Sequence, residues 1–194
     1  MTSNERAGFA LVAGATAVLV VMAFHPTGRE AAGGGYGIST VVHAVAILAE
    51  LTLLLGALGL TVHLRGARDL AMAAFVTYAA ATMSLIIAAV AAGWIDPPMA
   101  GTINGSFAVV GFGLAAIAMI LWSTAMWRTR FSRALATLGV AAGAFTLAGL
   151  MLGAGLALHG FGGLVMLAFA VWMGWAGLVL RGEGPSGFIA APRG

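Results

Sequence analysis

The chain has 194 residues, of which 61% are hydrophobic and 8% are charged, with a formal net charge of +3 and a mean hydropathy of +1.04. This composition excludes a soluble globular protein, because so few charged side chains would leave large apolar patches exposed to water. It indicates an integral membrane protein. The absence of cysteine excludes disulfides, thiolate metal sites and cysteine nucleophiles.

Runs of about 20 apolar residues predict six transmembrane helices, since a helix of that length spans the hydrocarbon of a bilayer. The predicted spans are residues 8–25, 40–62, 70–93, 105–127, 134–157 and 161–180. We therefore predict an all-α six-helix bundle over residues 1–181, followed by a short cytoplasmic tail at 182–194. The first run is interpreted as a helix rather than a signal peptide, because no small-x-small cleavage motif follows it.

The basic residues are arginines in the short segments between the spans, and eight of the nine lie on one side of the six-span prediction. The positive-inside rule then places both termini in the cytoplasm, and we expect the cytoplasmic (inner) membrane of a bacterium. The tryptophans lie toward span ends and are interpreted as interfacial anchors: Trp94, Trp122, Trp127, Trp172 and Trp175.

The first two spans contain the most informative polar residues. Thr16 is near the centre of span 1 and His25 is at its end, whereas His43 is one turn into span 2 and Glu50 is near the bilayer midplane. An ionisable group at that depth costs roughly 2.5 to 3.5 kcal/mol or more, so it indicates a function or a partner. His43 and Glu50 are seven residues apart, so they share one helix face at a separation of about 10 Å.

Two further spans add threonines at the same depth, Thr82 in span 3 and Thr146 in span 5. With Thr16 they predict a polar layer around Glu50. One interpretation is a proton relay through Glu50; the other is a protonated Glu50 that donates a hydrogen bond and joins neighbouring helices as a neutral group. The spacing of the three threonines, 66 and 64 residues, also predicts three helical hairpins inserted in the same orientation.

Span 5 has a second pattern, a row of glycines at helical spacing: Gly139, Gly143, Gly149 and Gly153. Small residues three to four positions apart let another membrane helix approach closely. We predict a packing face there, with the alanine-rich span 3, a second copy of the chain in a homo-oligomer, or another membrane protein as the partner.

Three histidines, together with Asp96 in an outer loop, are predicted to share the outer membrane face: His25, His43 and His159. Three imidazoles with an open fourth position can hold a divalent metal or copper, with Asp96 as a further ligand. Haem is a poorer match, because no large cleft is evident. The alternative is that these are amphipathic interfacial side chains that cap helix ends. His63 lies at the opposite end of span 2.

The sequence therefore predicts a multi-pass membrane protein with a histidine-built metal or ligand site near the outer face. The alternatives are proton-coupled transport of a small solute through Glu50, and a non-catalytic accessory subunit of a membrane complex. There is no phosphate-binding loop and no catalytic triad, and the basic segments are too short to bind nucleic acid.

Overall fold

The structure, a computed structural model, describes residues 1–25, 37–95, 99–129, 131–154 and 160–182. Within these ranges six long helices follow one another: α1 (Ser3–Phe24), α2 (Ile38–His63), α3 (Arg68–Trp94), α4 (Met99–Thr129), α5 (Arg133–Met151) and α6 (Phe161–Arg181). A single 3-10 turn, Arg65–Ala67, connects α2 to α3. All six helices are long and apolar enough to cross a membrane. The predicted all-helical class with six apolar helices is confirmed.

The two largest differences from the predicted spans are at the start of α4 and at the end of α5. Helix α4 begins at Met99, six residues before the expected start at 105, because the helix continues through Gly101, Thr102 and Asn104, which a hydropathy criterion leaves out. Helix α5 ends at Met151, whereas the prediction ran to 157. Gly153 adopts a left-handed φ of 75°, which glycine tolerates and which ends a helix. Gly153 therefore lies beyond the helix whose packing face it was predicted to join.

The helices form a ring in which each packs against its neighbours in the chain and α1 also packs against α6. The α1–α2 contact interlocks, since a Cβ on Gly14 would lie 2.7 Å from Leu53 Cγ and one on Gly56 would lie 2.7 Å from Leu11 Cγ. The contact between α5 and α6 is less extensive than the other contacts between successive helices. The arrangement in three helical hairpins inserted in the same orientation, which the threonine spacing suggested, stays a prediction.

One end of the bundle collects the described arginines, and we call it the arginine end: Arg6, Arg65, Arg68, Arg128, Arg133 and Arg181. Three contacts join these helix termini. A Cβ on Gly8 would lie 2.7 Å from Arg181 Cγ, a Cβ on Gly66 would lie 3.2 Å from Thr129 Cγ2, and the His63 and Phe131 rings are 5.3 Å apart. The opposite end, which contains His25, His43 and Gly93, is the histidine end.

The outer surface of the ring is apolar, with large exposed side chains such as Leu48, Leu55 and Val76 along the helices. In water such a surface would aggregate, whereas in a bilayer it matches its solvent.

Four of the five tryptophans fall into two groups, and the anchor interpretation is wrong for two of them; the fifth, Trp175, is half-buried. Trp94 and Trp127 are exposed near helix ends, as an interfacial anchor requires. Trp122 and Trp172 are fully buried in the bundle, with stacked rings 6.3 Å apart. Position along a helix did not reveal which face each indole occupies, and a large aromatic side chain contributes most to stability when buried.

Candidate functional site

Glu50 lies at the middle of α2, twelve residues from Ile38 and thirteen from His63, or about 18 and 20 Å along the helix axis. Its side chain is partly buried and faces α3. There the hydroxyl of Tyr78, which is fully buried, donates a hydrogen bond of 3.2 Å to Glu50 Oε2. An acidic residue at mid-depth thus has a specific donor from the neighbouring helix.

Thr82 lies one turn beyond Tyr78 on α3 and completes this polar cluster. Its side chain is fully buried and close enough to Glu50 and Tyr78 to interact with both. Its hydroxyl nevertheless has no hydrogen-bond partner in the part of the chain that the structure describes. A buried hydroxyl normally has a hydrogen-bond partner. The Thr82 hydroxyl can therefore still donate to, or accept from, a further polar group.

Of the three threonines predicted to surround Glu50, the structure brings Thr82 alone to it. Thr16 is exposed and donates to the Val12 carbonyl oxygen at 2.9 Å, and Thr146 donates to the Ala142 carbonyl oxygen at 2.9 Å. Both therefore bond their own helices, as threonines in membrane helices commonly do. Depth along a helix placed them in one layer, but their side chains point to different faces.

Aromatic rings enclose the Glu50–Tyr78 pair from the side of the bundle core. The ring of Tyr78 lies 5.5 Å from that of Trp122 and 5.7 Å from that of Phe169. Trp122 Nε1 in turn donates a hydrogen bond of 3.1 Å to Oγ1 of Thr61 on α2. The cluster is therefore shielded on that side by apolar rings whose own polar atoms are satisfied.

One face of α2 carries polar side chains over most of its length. His43, Glu50 and Thr61 are separated by seven and eleven residues, both close to whole numbers of helical turns. The membership of Thr61 in this polar face was not predicted, although its spacing from Glu50 can be read from the sequence. Polar groups on this face thus extend from Glu50 toward both ends of the bundle.

At the histidine end, the structure brings together two of the predicted metal ligands. The rings of His25 and His43 lie 5.2 Å apart, edge to face, where α1 ends and α2 begins. His43 is buried, and its Nδ1 lies 2.7 Å from the backbone carbonyl oxygen of Ser39. Since a carbonyl oxygen only accepts, Nδ1 carries the proton and Nε2 keeps its lone pair.

The other two predicted ligands, His159 and Asp96, lie outside the described residues. Within the described ranges, no group of three or more histidine, cysteine or acidic side chains is placed to hold a metal ion. The four-ligand site therefore stays a prediction. His63 lies at the arginine end, as expected, where its ring packs edge to face on Phe131.

The glycines of α5 face α4 and α6 rather than the alanine-rich α3. A Cβ on Gly139 would overlap Ser123 Oγ and Trp172 Nε1, and one on Gly143 would lie 2.7 Å from Ile120 Cγ1. A Cβ on Gly149 would overlap the ring of Phe161. These contacts are inside the bundle, so Gly139, Gly143 and Gly149 serve packing within one chain, whereas a Cβ on Gly153 would meet no atom within 4 Å.

A small cavity with a water-accessible volume of about 10 Å³ lies between α4, α5 and α6. Its lining is mostly apolar and includes Phe112, Met119 and Phe169 together with Thr146, whose hydroxyl is already bonded within α5. A space of this size is at the lower limit for one water molecule. It offers no polar site comparable to that at Glu50.

Six apolar helices are compatible with a multi-pass membrane protein, and the described residues add a polar cluster around Glu50 at the middle of α2 and a histidine pair at one end. No family model, curated protein or solved structure matches the chain.

Proposed function

We propose that this protein is a proton-coupled transporter of a small solute, with Glu50 as the group that binds and releases the proton. The observation that carries the proposal is the 3.2 Å hydrogen bond from the buried Tyr78 hydroxyl to a carboxyl at the middle of a membrane helix. Acids at this depth are costly, and where they occur they mark ion and proton pathways.

The cluster has partners for both states of the carboxyl group. The Tyr78 hydroxyl donates to Glu50, as a carboxylate requires. A protonated Glu50 has an O–H to donate, and the neighbouring Thr82 hydroxyl has acceptor capacity that no described group uses. A hydrogen bond with a purely structural role requires only one protonation state of Glu50, whereas a proton carrier needs partners for both states.

Access to the cluster is proposed to follow the polar face of α2. His43 is two turns from Glu50 toward the histidine end, about 10 Å along the axis, and Thr61 is three turns away in the other direction. Exchange with each side of the membrane would require the α2–α3 contact to open at one end at a time. We place the arginine end in the cytoplasm, and the protein in the cytoplasmic membrane of a bacterium, because basic residues favour that side.

The first experiment detects the proton itself. Infrared difference spectra of the purified protein at two pH values should show a carboxylic-acid C=O band that Glu50→Gln removes. The matched control is Glu5→Gln, the same substitution at an exposed residue near the start of α1. A spectrum that Glu50→Gln leaves unchanged would contradict proton binding at Glu50.

The second experiment measures transport. Liposomes containing the protein and an internal pH indicator are supplied with sets of small solutes, and we expect one set to drive a pH change that Glu50→Gln abolishes and Glu5→Gln keeps. If solute uptake persists in Glu50→Gln with its proton flux intact, the proposed role of Glu50 is wrong.

A further inference from the structure

The histidine end contains a pair of imidazoles that the proposed role of Glu50 does not use. His25 terminates α1 and His43 belongs to the second turn of α2, so two separate helices position the two rings. Their ring centres are 5.2 Å apart and their planes are inclined by 71°.

This separation fits two ligands of one tetrahedral ion. A ligating imidazole nitrogen lies about 2.0 to 2.1 Å from zinc and the ring centre about 1 Å further away, so two such rings at a tetrahedral angle have centres roughly 5 Å apart. An edge-to-face ring contact has a similar separation, so measured metal binding is what distinguishes the two.

His43 also has the support that metal-binding histidines commonly have. Its Nδ1–H donates to the Ser39 carbonyl oxygen at 2.7 Å, which fixes the ring orientation and leaves Nε2 as the free ligand atom. Thr40 reinforces the position of this turn, because its hydroxyl donates to the Gly93 carbonyl oxygen of α3 at 2.9 Å. The close approach of α3 depends on Gly93, where a Cβ would lie 3.2 Å from His43 Cβ.

We infer that His25 and His43 together bind a transition-metal dication of borderline softness, such as Zn²⁺, at the histidine end of the bundle. Imidazole nitrogen suits zinc, and a site near the end of the membrane helices is reachable by ions from solution without crossing hydrocarbon. The remaining coordination positions belong to water or to other oxygen or nitrogen donors. This site is distinct from the Glu50 cluster, which lies two helical turns deeper.

The test is direct metal binding to the full-length protein purified in detergent. Zn²⁺ is measured by equilibrium dialysis, and Co²⁺ serves as a spectroscopic substitute because its visible absorption reports tetrahedral coordination. We expect about one ion per chain and a fall in affinity of at least about tenfold in His25→Ala and in His43→Ala.

The matched control is His63→Ala, which removes the exposed histidine at the arginine end of the same helix. This variant should bind zinc as the unaltered protein does. Because His43 is buried and its loss can unfold the protein, the elution volume of each variant on size-exclusion chromatography is compared, and His25→Ala provides an independent test.

Two results would overturn the inference. One is that the unaltered protein binds no zinc, in which case the ring contact is an ordinary edge-to-face pair. The other is that folded His25→Ala and His43→Ala retain the affinity of His63→Ala, which would place any bound zinc elsewhere.

Discussion

Gly139 of α5 lies so close to Trp172 of α6 that a methyl group on the glycine would overlap the indole nitrogen. That nitrogen donates a hydrogen bond of 3.0 Å to the Leu135 carbonyl oxygen, one turn before the glycine. The hydrogen bond from Trp172 therefore depends on the absence of a side chain at Gly139. Together these two residues attach α5 to α6, which have the least extensive contact of any two successive helices.

Gly139→Ala should destabilise the protein by about 1 to 3 kcal/mol, because the methyl group must displace the buried Trp172 or Ser123. The free energy of unfolding in detergent measures this. The control is Gly113→Ala in α4, where the nearest atom would be 3.8 Å from the new Cβ. There the better helix propensity of alanine should leave stability equal or higher. Equal losses at both positions would show that the close packing at Gly139 has no special role.

Tyr78→Phe should destabilise the protein by about 1 to 3 kcal/mol, because it leaves the partly buried Glu50 carboxyl without its donor. The cost should be smaller when Glu50→Leu is also present, since the carboxyl that Tyr78 serves is then absent. A double-mutant cycle of unfolding free energies measures the difference.

The control for this cycle is Thr77→Val, the adjacent residue on α3. Thr77 is exposed and donates to the Ala73 carbonyl oxygen of its own helix, so its replacement should change stability by less than about 0.5 kcal/mol. If Tyr78→Phe costs the same with and without Glu50, the two residues are not coupled.

The hydrogen bond from Trp122 to Thr61 provides a third prediction. Both side chains are buried and their polar atoms are 3.1 Å apart. Thr61→Val and Trp122→Phe should show a coupling energy of about 0.5 to 1.5 kcal/mol in a double-mutant cycle, as buried interhelical hydrogen bonds in membranes do. Strict additivity of the two substitutions would contradict the bond.

The orientation can be tested with single cysteines, because the chain contains none of its own. Asp69→Cys at the arginine end should react with a membrane-impermeant maleimide only in inverted vesicles. Leu152→Cys at the other end should react in intact cells, since Leu152 is 87% exposed just beyond α5. The reversed pattern would place the arginine end outside.

The number and approximate position of the helices could be predicted from sequence, because the length and hydropathy of each apolar run reflect the thickness of the bilayer. The expectation that His25 and His43 lie at the same end of the bundle followed from the same reasoning, whereas the contact between their rings appeared only in the structure. The depth of a residue in the membrane follows from its position along a helix, and the hydropathy of the sequence shows where each helix lies.

Rotation about each helix axis could not be predicted in the same way. A helix that is apolar on all sides does not reveal which side faces the core, as an amphipathic helix does. For this reason the burial of Trp122, the separate positions of Thr16 and Thr146, and the attachment of α5 to α4 and α6 appeared only in the structure. For Glu50 the sequence indicated a polar layer that included Thr82, but the hydrogen bond from Tyr78 appeared only in the structure.

The approach of Gly8 to Gly177 has a consequence for biogenesis. A Cβ on either glycine would lie 2.5 to 2.6 Å from the backbone oxygen of the other, so α1 and α6 touch almost backbone to backbone. Of these six helices α1 is synthesised first and α6 last. The surface of α1 around Gly8 therefore cannot meet its partner on α6 until the last of these helices has been synthesised.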